Sequence, residues 1–258
     1  MGRIQKSDNM PDGAIPVLDH GFVAVTDTLG SDKTVVNSAR VSFGKKVDVF
    51  DEDKDGGLVR FLAKHNHMSP FRHCVVQLHI KAPELVMRQW YKHVIGCEWT
   101  SGEARFADHA WNEISGRYIK YGEEFYTPLE FRAQSSDNKQ ASIAGDIGET
   151  RLEYALDDET LGSTESGTVR EVYEGALDQV YRAYSALIEA GLSKEQARGL
   201  LPVSFYTEVY WTASLQAIAN FIKLRDHAGA QSEIKEFSDA VRSLVEPLYP
   251  VSFAALMA

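Results

Sequence analysis

CVVQLHIKAPELVMRQWYKHVIG, residues 74–96, passes from one periodicity to another within a few residues. Cys74, Val76, Leu78 and Ile80 fall on one side of an extended chain, the period of two that marks a strand with one face in a core. Pro83 then suits a first helical turn and Glu84 suits the positive helix N-terminus, so a helix is predicted from Pro83 to Ile95, stopped by Gly96. Upstream, Phe22 to Thr28 alternates as a half-buried strand, and Gly30-Ser31-Asp32 punctuates the chain before a helical stretch around Val35 to Val41. Leu58, Phe61 and Leu62 at i, i+3, i+4 predict the apolar stripe of another helix, ended by His67-Met68-Ser69-Pro70 because the residue before proline avoids helical angles.

Downstream, residues 97 to 111 have no clear period and read as a loop or insertion, while Asn112 to Lys120 reads as extended. Residues 133 to 168 are polar and rich in Ser, Asp, Gly and Thr, which predicts an excursion from the fold. Val172, Tyr173, Ala176, Leu177, Val180, Tyr184, Leu187 and Ile188 repeat at helical spacing until Gly191. Ser193 with Gln196 forms a capping-box pattern for a short helix before Pro202. Two further helices carry Leu215, Ile218, Ala219 and Ile222, then Ile234, Phe237, Val241, Leu244 and Val245. Strands interleaved with helices over 258 residues predict a mixed α/β fold in a single domain, 1–258.

Hydrophobic residues make up 44% of the chain and charged residues 25%, the balance of a protein able to bury a sizeable core. With 37 acidic against 27 basic residues, the formal charge of -10 repels nucleic acid and anionic membranes, so an anionic ligand needs a local basic pocket. No apolar run approaches a membrane span and the N-terminus has no signal-peptide stretch, so a cytoplasmic location is expected. Cys74 and Cys97 read as free thiols, with Cys74 facing a core.

Asp51-Glu52-Asp53-Lys54-Asp55-Gly56 copies the first half of a calcium loop, but its twelfth position is Leu62, so it reads as an acidic turn. His65, His67 and His73 have no Cys or carboxylate at ligand spacing, and no metal is expected there.

On the helix from Pro83, Gln89, Lys92 and His93 stand at i, i+3, i+4 and would present an amide, a cation and an imidazole on one face. In an extended Asn112–Tyr118, Glu113, Ser115 and Arg117 would project together, a carboxylate, a hydroxyl and a guanidinium suited to a phosphate-bearing ligand. A solvated polar face explains the same pattern.

Arg88-Gln89-Trp90-Tyr91-Lys92-His93 followed by Asn112-Glu113-Ile114-Ser115-Gly116-Arg117-Tyr118 resembles the RQW(F/Y)RHR and NExSxRY signature of flavin-dependent thymidylate synthases. His67-Met68-Ser69-Pro70-Phe71-Arg72-His73 is similar to that family's H-x-(T/S)-P-F-E-H, and Ala39-Arg40-Val41-Ser42 to its A-R-(V/I)-S. Ala197-Arg198, Leu201-Pro202, Tyr206-Thr207, Trp211-Thr212, Leu224-Arg225 and Ala230-Gln231-Ser232 keep the family order onward. The resemblance implies a twisted mixed sheet flanked by helices, in a homotetramer whose active sites form between subunits.

It further implies that dUMP binds to Gln89, Glu113, Ser115, Arg117, Arg198 and Arg225, with the arginines on phosphate and the base near Arg225. Ser42, Ser69, Lys92, His93, Asn220 and Arg225 fall at FAD positions, and His67 and His93 near the flavin and folate rings. Arg225, Ser115 and His93 are the implied catalytic set. The implied reaction methylates dUMP to dTMP, with 5,10-methylenetetrahydrofolate as one-carbon donor and NADPH-reduced FAD as hydride source. Departures concentrate on FAD and folate: the family's RHR is Lys92-His93-Val94, its acid after Pro-Phe is Arg72, its Asn and Arg on a late helix are Ser214 and Gln216, and its HAQ is Gly229-Ala230-Gln231. They leave open a non-catalytic dUMP-binding paralogue, or a related pyrimidine hydroxymethylase.

Overall fold

The computed structural model describes residues 10–93, 98–101, 104–107, 110–139, 141–155, 164–227 and 229–258. In chain order the strands and helices are β1 (Ile15–Val17), β2 (Gly21–Leu29), α1 (Asp32–Arg40), α2 (Glu52–Lys64), β3 (Val75–Pro83) and α3 (Glu84–Trp90). There follow β4 (Glu98–Ser101), β5 (Ala104–Ala107), β6 (Ala110–Glu113), β7 (Arg151–Ala155), β8 (Thr164–Thr168) and α4 (Val169–Glu189). The chain closes with α5 (Lys194–Ala197), β9 (Tyr206–Ser214), α6 (Leu215–Arg225), α7 (Ser232–Val245) and α8 (Pro250–Met257). These elements fall into two compact units, one of Ser115–Tyr206 and one of the described residues up to Ile114 together with Thr207–Ala258.

The larger unit is built on a five-stranded sheet in the order β1-β2-β3-β9-β6. β1 pairs with β2, β2 with β3, and β6 with β9, all antiparallel. Gln77 meets Thr212 at 3.2 Å and the His79 ring stacks on Tyr210, contacts that run in opposite chain directions along β3 and β9. Helix α6 packs against both α7 and α8, and α7 also lies on β1 and β2, so an α/β class with a helix-flanked sheet is what forms. Cys74, Val76, Leu78 and Ile80 are all fully buried, as their alternation predicts, and join Val209, Trp211, Ile218, Phe221, Phe237 and Val241 in one core. Each such aliphatic or aromatic side chain contributes roughly 1.5–3 kcal/mol on burial.

Gly30 turns β2 into α1 at φ +88°, a left-handed conformation that glycine adopts without strain. A Cβ there would also lie 3.0 Å from the Cys74 sulfur, so this strand-to-helix turn is closed to larger residues. The acidic turn is a helix start: the Asp51 side chain accepts from the amides of Asp53 and Lys54, capping α2, and Asp55 pairs with Arg40 at 2.7 Å. Asp32 accepts from the amides of Val251 and Ser252, which places a carboxylate on the N-terminus of α8.

In the smaller unit, Thr168 and Glu171 form a capping box at the start of α4. Tyr184, fully buried, accepts from the Tyr121 amide at 3.0 Å and packs with Ala197. Val172, Leu177 and Val180 remain half-buried and Leu187 is exposed, so the α4 stripe is only partly covered. The polar segment predicted as an excursion carries the β7–β8 hairpin.

Four expectations are corrected. The helix after Pro83 ends at Trp90, because Lys92 and His93 bond back to the carbonyls of Gln89 and Trp90 in a tighter three-residue pattern. Gln89, Lys92 and His93 therefore do not share a helical face. Strand β6 stops at Glu113, and Tyr118 and Ile119 both bond to the Ser115 carbonyl, so residues 115–119 are a turn and the two-residue spacing of Glu113, Ser115 and Arg117 confers no common side. The supposed loop of 97–111 contains the β4–β5 hairpin and the first residues of β6. Phe61 is 52% exposed instead of joining Leu62 in the core, and its ring lies between His65 (4.4 Å between centroids) and His67 (6.1 Å). Val94 and Cys97 lie outside the described residues.

Candidate active site

One buried group of polar side chains in the larger unit is anchored by Trp90. Its indole is fully buried, stacks on Phe221 (4.3 Å, 8°) and meets Trp211 and Phe237 edge-on, which fixes the end of α3 against α6. The chain then turns so that His93, 5% exposed, sets Nδ1 3.1 Å from the Trp90 carbonyl and Nε2 3.1 Å from Nε of Arg225. A guanidinium can only donate, so Nε2 accepts and the ring proton resides on Nδ1, donated to the carbonyl. The neutral tautomer follows from this network. Burial, and secondarily the Arg225 charge, hold His93 below the ordinary histidine range against the opposing pull of the Trp90 carbonyl.

Arg225 sits in the last turn of α6, where the helix dipole favours a cation. Burial lowers its guanidinium from the usual value, and among the described residues it forms no ion pair with a carboxylate. The acid next in sequence, Asp226, is taken by Lys235 and Arg242. Among the described residues Arg225 thus keeps donors directed at no protein acceptor but His93. A half-buried cation without a counter-ion is a binding group for an anion or a polarised carbonyl.

On α3, Gln89 donates through Nε2 to the Leu85 carbonyl and to Oε1 of Gln231, the N-cap residue of α7. Glu113, at the end of β6, accepts from the Thr207 hydroxyl at 2.6 Å, leaving its second oxygen as an acceptor. Glu84 lies in the electrostatic range of Glu113, and burial first and that neighbour second push its carboxyl upward.

A second group in the same unit surrounds the 3₁₀ turn Ser69–His73. Ser69 and Arg72 are exposed on it, and Nε of Arg72 donates to Oε1 of Gln216 in the first turn of α6 at 2.7 Å. One turn along the same helix face, Asn220 keeps Nδ2 buried without a partner. Ser42 lies on an exposed 3₁₀ turn, Val41–Phe43, and Lys92 is exposed just past α3. Among the described residues no hydrogen bond links Ser42, Ser69, Lys92 and Asn220 to one another.

In the smaller unit the backbone amide of Arg117 donates to the Ser115 hydroxyl, and its guanidinium pairs with Glu195 at 2.8 Å, both side chains 57% exposed. So exposed a pair is worth roughly 0.2–1 kcal/mol and can be exchanged for a better anion. Arg198 is exposed, and its Cδ lies 3.1 Å from where a Cβ on Gly116 would stand, with the Tyr121 ring closer still. Glycine at 116 is what lets the Arg198 stem lie against the turn bearing Ser115 and Arg117.

The structure brings together His93 with Arg225, and Ser115 with Arg117 and Arg198. Sequence reasoning passed over Gln231, Thr207 and the Arg72–Gln216 contact. The first two lie inside quoted motif segments, but their pairing with Gln89 and Glu113 spans 142 and 94 residues, which no local period encodes.

Cys74 is fully buried and reaches only the Ser31 carbonyl, at 3.5 Å. Burial and the nearby Asp32 push its thiol up to about 12, so it is not a thiolate nucleophile at neutral pH. Cys74→Ala, Cys97→Ala and the double variant are expected to retain turnover per folded molecule, with a stability cost of about 1 kcal/mol for Cys74→Ala. Activity scaled to the folded fraction from thermal melts checks this. Loss of turnover in folded protein, with a covalent nucleotide adduct on a cysteine, would reverse it.

A family profile described as "Thymidylate synthase complementing protein" matches residues 24–251. The flavin-dependent thymidylate synthase of Thermus thermophilus is 40% identical over 241 residues, 93% of this chain and 77% of that protein. That of Thermotoga neapolitana is 35% identical over 243 residues, 94% of each. Among solved structures, a UMP/dUMP methylase, PolB from Streptomyces cacaoi, bound with 5-Br dUMP, aligns with TM-score 0.70 and 26% identity, covering 91% of this chain and 93% of that one.

Proposed function

Because this chain belongs to the thymidylate synthase complementing protein family, we propose that it converts dUMP to dTMP, with 5,10-methylenetetrahydrofolate as one-carbon donor and NADPH-reduced FAD as hydride source. The observation that carries the reading is the pair of a buried, neutral His93 and a half-buried Arg225 that has no counter-ion among the described residues.

Arg225 holds the pyrimidine and stabilises negative charge that develops on the activated ring, a preorganised cation whose desolvation strengthens it. His93 orients that guanidinium through Nε2 and lies beside the rings without adding a second positive charge. Gln89 keeps its carbonyl oxygen available as an acceptor, and Glu113 its second carboxylate oxygen, for an N–H or hydroxyl of the nucleoside. Ser115, Arg117 and Arg198 take the phosphate, Arg117 exchanging Glu195 for a dianion.

Ser42, Ser69, Lys92, His93, Asn220 and Arg225 would hold the flavin nucleotide, and His67 would lie near the folate. The fit rests on two groups with donors unused among the described residues, the buried Nδ2 of Asn220 and the guanidinium of Arg225, whose Nε alone is taken, by His93. The bound flavin supplies the hydride that completes the methyl group. Assembly as a homotetramer with active sites shared between subunits is supported by the half-covered apolar stripe of α4. Among the described residues no helix is long and apolar enough to cross a membrane, and a cytoplasmic site of action is proposed.

The flavin absorbance of the full-length protein, reduced anaerobically with NADPH, tests the reading. Colour is expected to return only when dUMP and methylenetetrahydrofolate are both present, and no return with both contradicts it. Arg117→Ala and Arg198→Ala are each expected to weaken dUMP binding by roughly 1.5–3 kcal/mol, since each removes a charge-assisted donor from a phosphate. Calorimetric titration checks this, and unchanged affinity in both variants contradicts the phosphate assignment.

A further inference from the structure

Arg72 and Gln216 are two of the departures from the family pattern, which has an acid at the first position and an arginine at the second. In the folded chain they are partners across one contact: Nε of Arg72 donates to Oε1 of Gln216 at 2.7 Å. The cation that this chain lacks at position 216 therefore has a counterpart beside it, at position 72.

Its surroundings give it no counter-ion. Gln216 lies in the first turn of α6, an eleven-residue helix capped by Ser214, and that turn contains no acidic residue. Among the described residues Arg72 forms no ion pair with a carboxylate, and its neighbour His73 is a potential cation. A guanidinium fastened near the positive end of a helix is the unfavourable arrangement, since that end attracts anions. With Nε engaged, both terminal nitrogens of the fork remain, the geometry that binds two oxygens of one phosphate. The exposed Ser69 hydroxyl in the same turn has no hydrogen bond among the described residues, and the buried Nδ2 of Asn220, one turn beyond Gln216, is an independent donor without an acceptor.

We infer that Arg72, positioned by Gln216, forms with Ser69 and the first turn of α6 a phosphate subsite that takes a phosphate of the dinucleotide cofactor. This rests on the flavin reading above and adds two residues to it. Arg72 is the binding group. Gln216 acts through it, by fixing the plane of the fork.

The test measures dissociation constants of the full chain for FAD and for riboflavin, which has the same ring and no phosphate. Arg72→Ala is expected to raise the FAD constant roughly 10- to 100-fold, the loss of a charge-assisted contact, and leave riboflavin unchanged. Gln216→Ala should raise the FAD constant only about threefold, as a positioning residue. Arg72→Glu should be worse than alanine, and Arg72→Glu combined with Gln216→Arg should return most of the affinity by restoring the family's arrangement. FAD binding unchanged in Arg72→Ala, riboflavin weakened as much as FAD, or no rescue in the combined variant would each overturn the subsite. Wild-type protein that binds neither FAD nor riboflavin would instead overturn the cofactor reading itself.

Discussion

Arg225→Ala is expected to lower kcat by about 10²- to 10³-fold, the cost of removing a preorganised donor from developing negative charge. The guanidinium is half-buried, forms no ion pair among the described residues, and is aimed by the neutral Nε2 of His93. Nothing else in the described part of this corner supplies a desolvated cation, since Lys235 and Arg242 are spent on Asp226. Removing Arg225 also removes a charge that keeps His93 unprotonated, so the imidazole should titrate closer to its ordinary range, held down thereafter by burial alone. Arg225→Lys restores charge without the Nε that meets His93, and part of the loss should remain. Turnover with saturating substrates and an NMR titration of His93 measure both effects. Turnover within a few-fold of wild type would remove Arg225 from the chemistry.

Trp90→Ala should destabilise the protein by about 3–5 kcal/mol and lower Tm by roughly 10 °C, the penalty for deleting a fully buried indole and leaving a cavity. The ring is held by Phe221, Trp211 and Phe237, so the loss is shared by β9, α6 and α7. It also loosens the turn whose carbonyl fixes the His93 tautomer. Turnover of the surviving folded fraction should therefore fall as well, more than for Cys74→Ala, which empties the same core without touching that turn. Thermal melts followed by activity on folded protein separate the two effects, and a Tm change under a few degrees would contradict the packing account.

Period alone was enough for β3, whose four alternating residues are all buried, and for α4, which forms over the predicted repeat, whereas the capping box read at Ser193 and Gln196 does not form and the one at Thr168 and Glu171 went unread. Strand β9 carries the same alternation in Val209, Trp211 and Ala213, but it runs straight into α6 with no turn residue between them, so the strand period passes unmarked into a helical one. The end of α3 was not legible because its residues are good helix formers, and what stops the helix is burial of Trp90 against residues more than a hundred positions away. Phe61 fits a core stripe by spacing, yet its neighbours on the folded surface are His65 and His67. For the site, resemblance nominated His93 and Arg225 separately. Their hydrogen bond, the proton it places on Nδ1 and the missing counter-ion are products of the fold. Arg72 and Gln216 show the same limit, since two apparent defects 144 residues apart become one contact.

The most direct test is product analysis of an anaerobic mixture of the full-length protein, dUMP, 5,10-methylenetetrahydrofolate, FAD and NADPH. The account predicts a nucleotide with the mass of dTMP, formed only when FAD and NADPH are both present and strongly reduced in Arg225→Ala. Recovery of unchanged dUMP from protein that binds both dUMP and FAD, or a hydroxymethylated nucleotide formed without flavin oxidation, would contradict it.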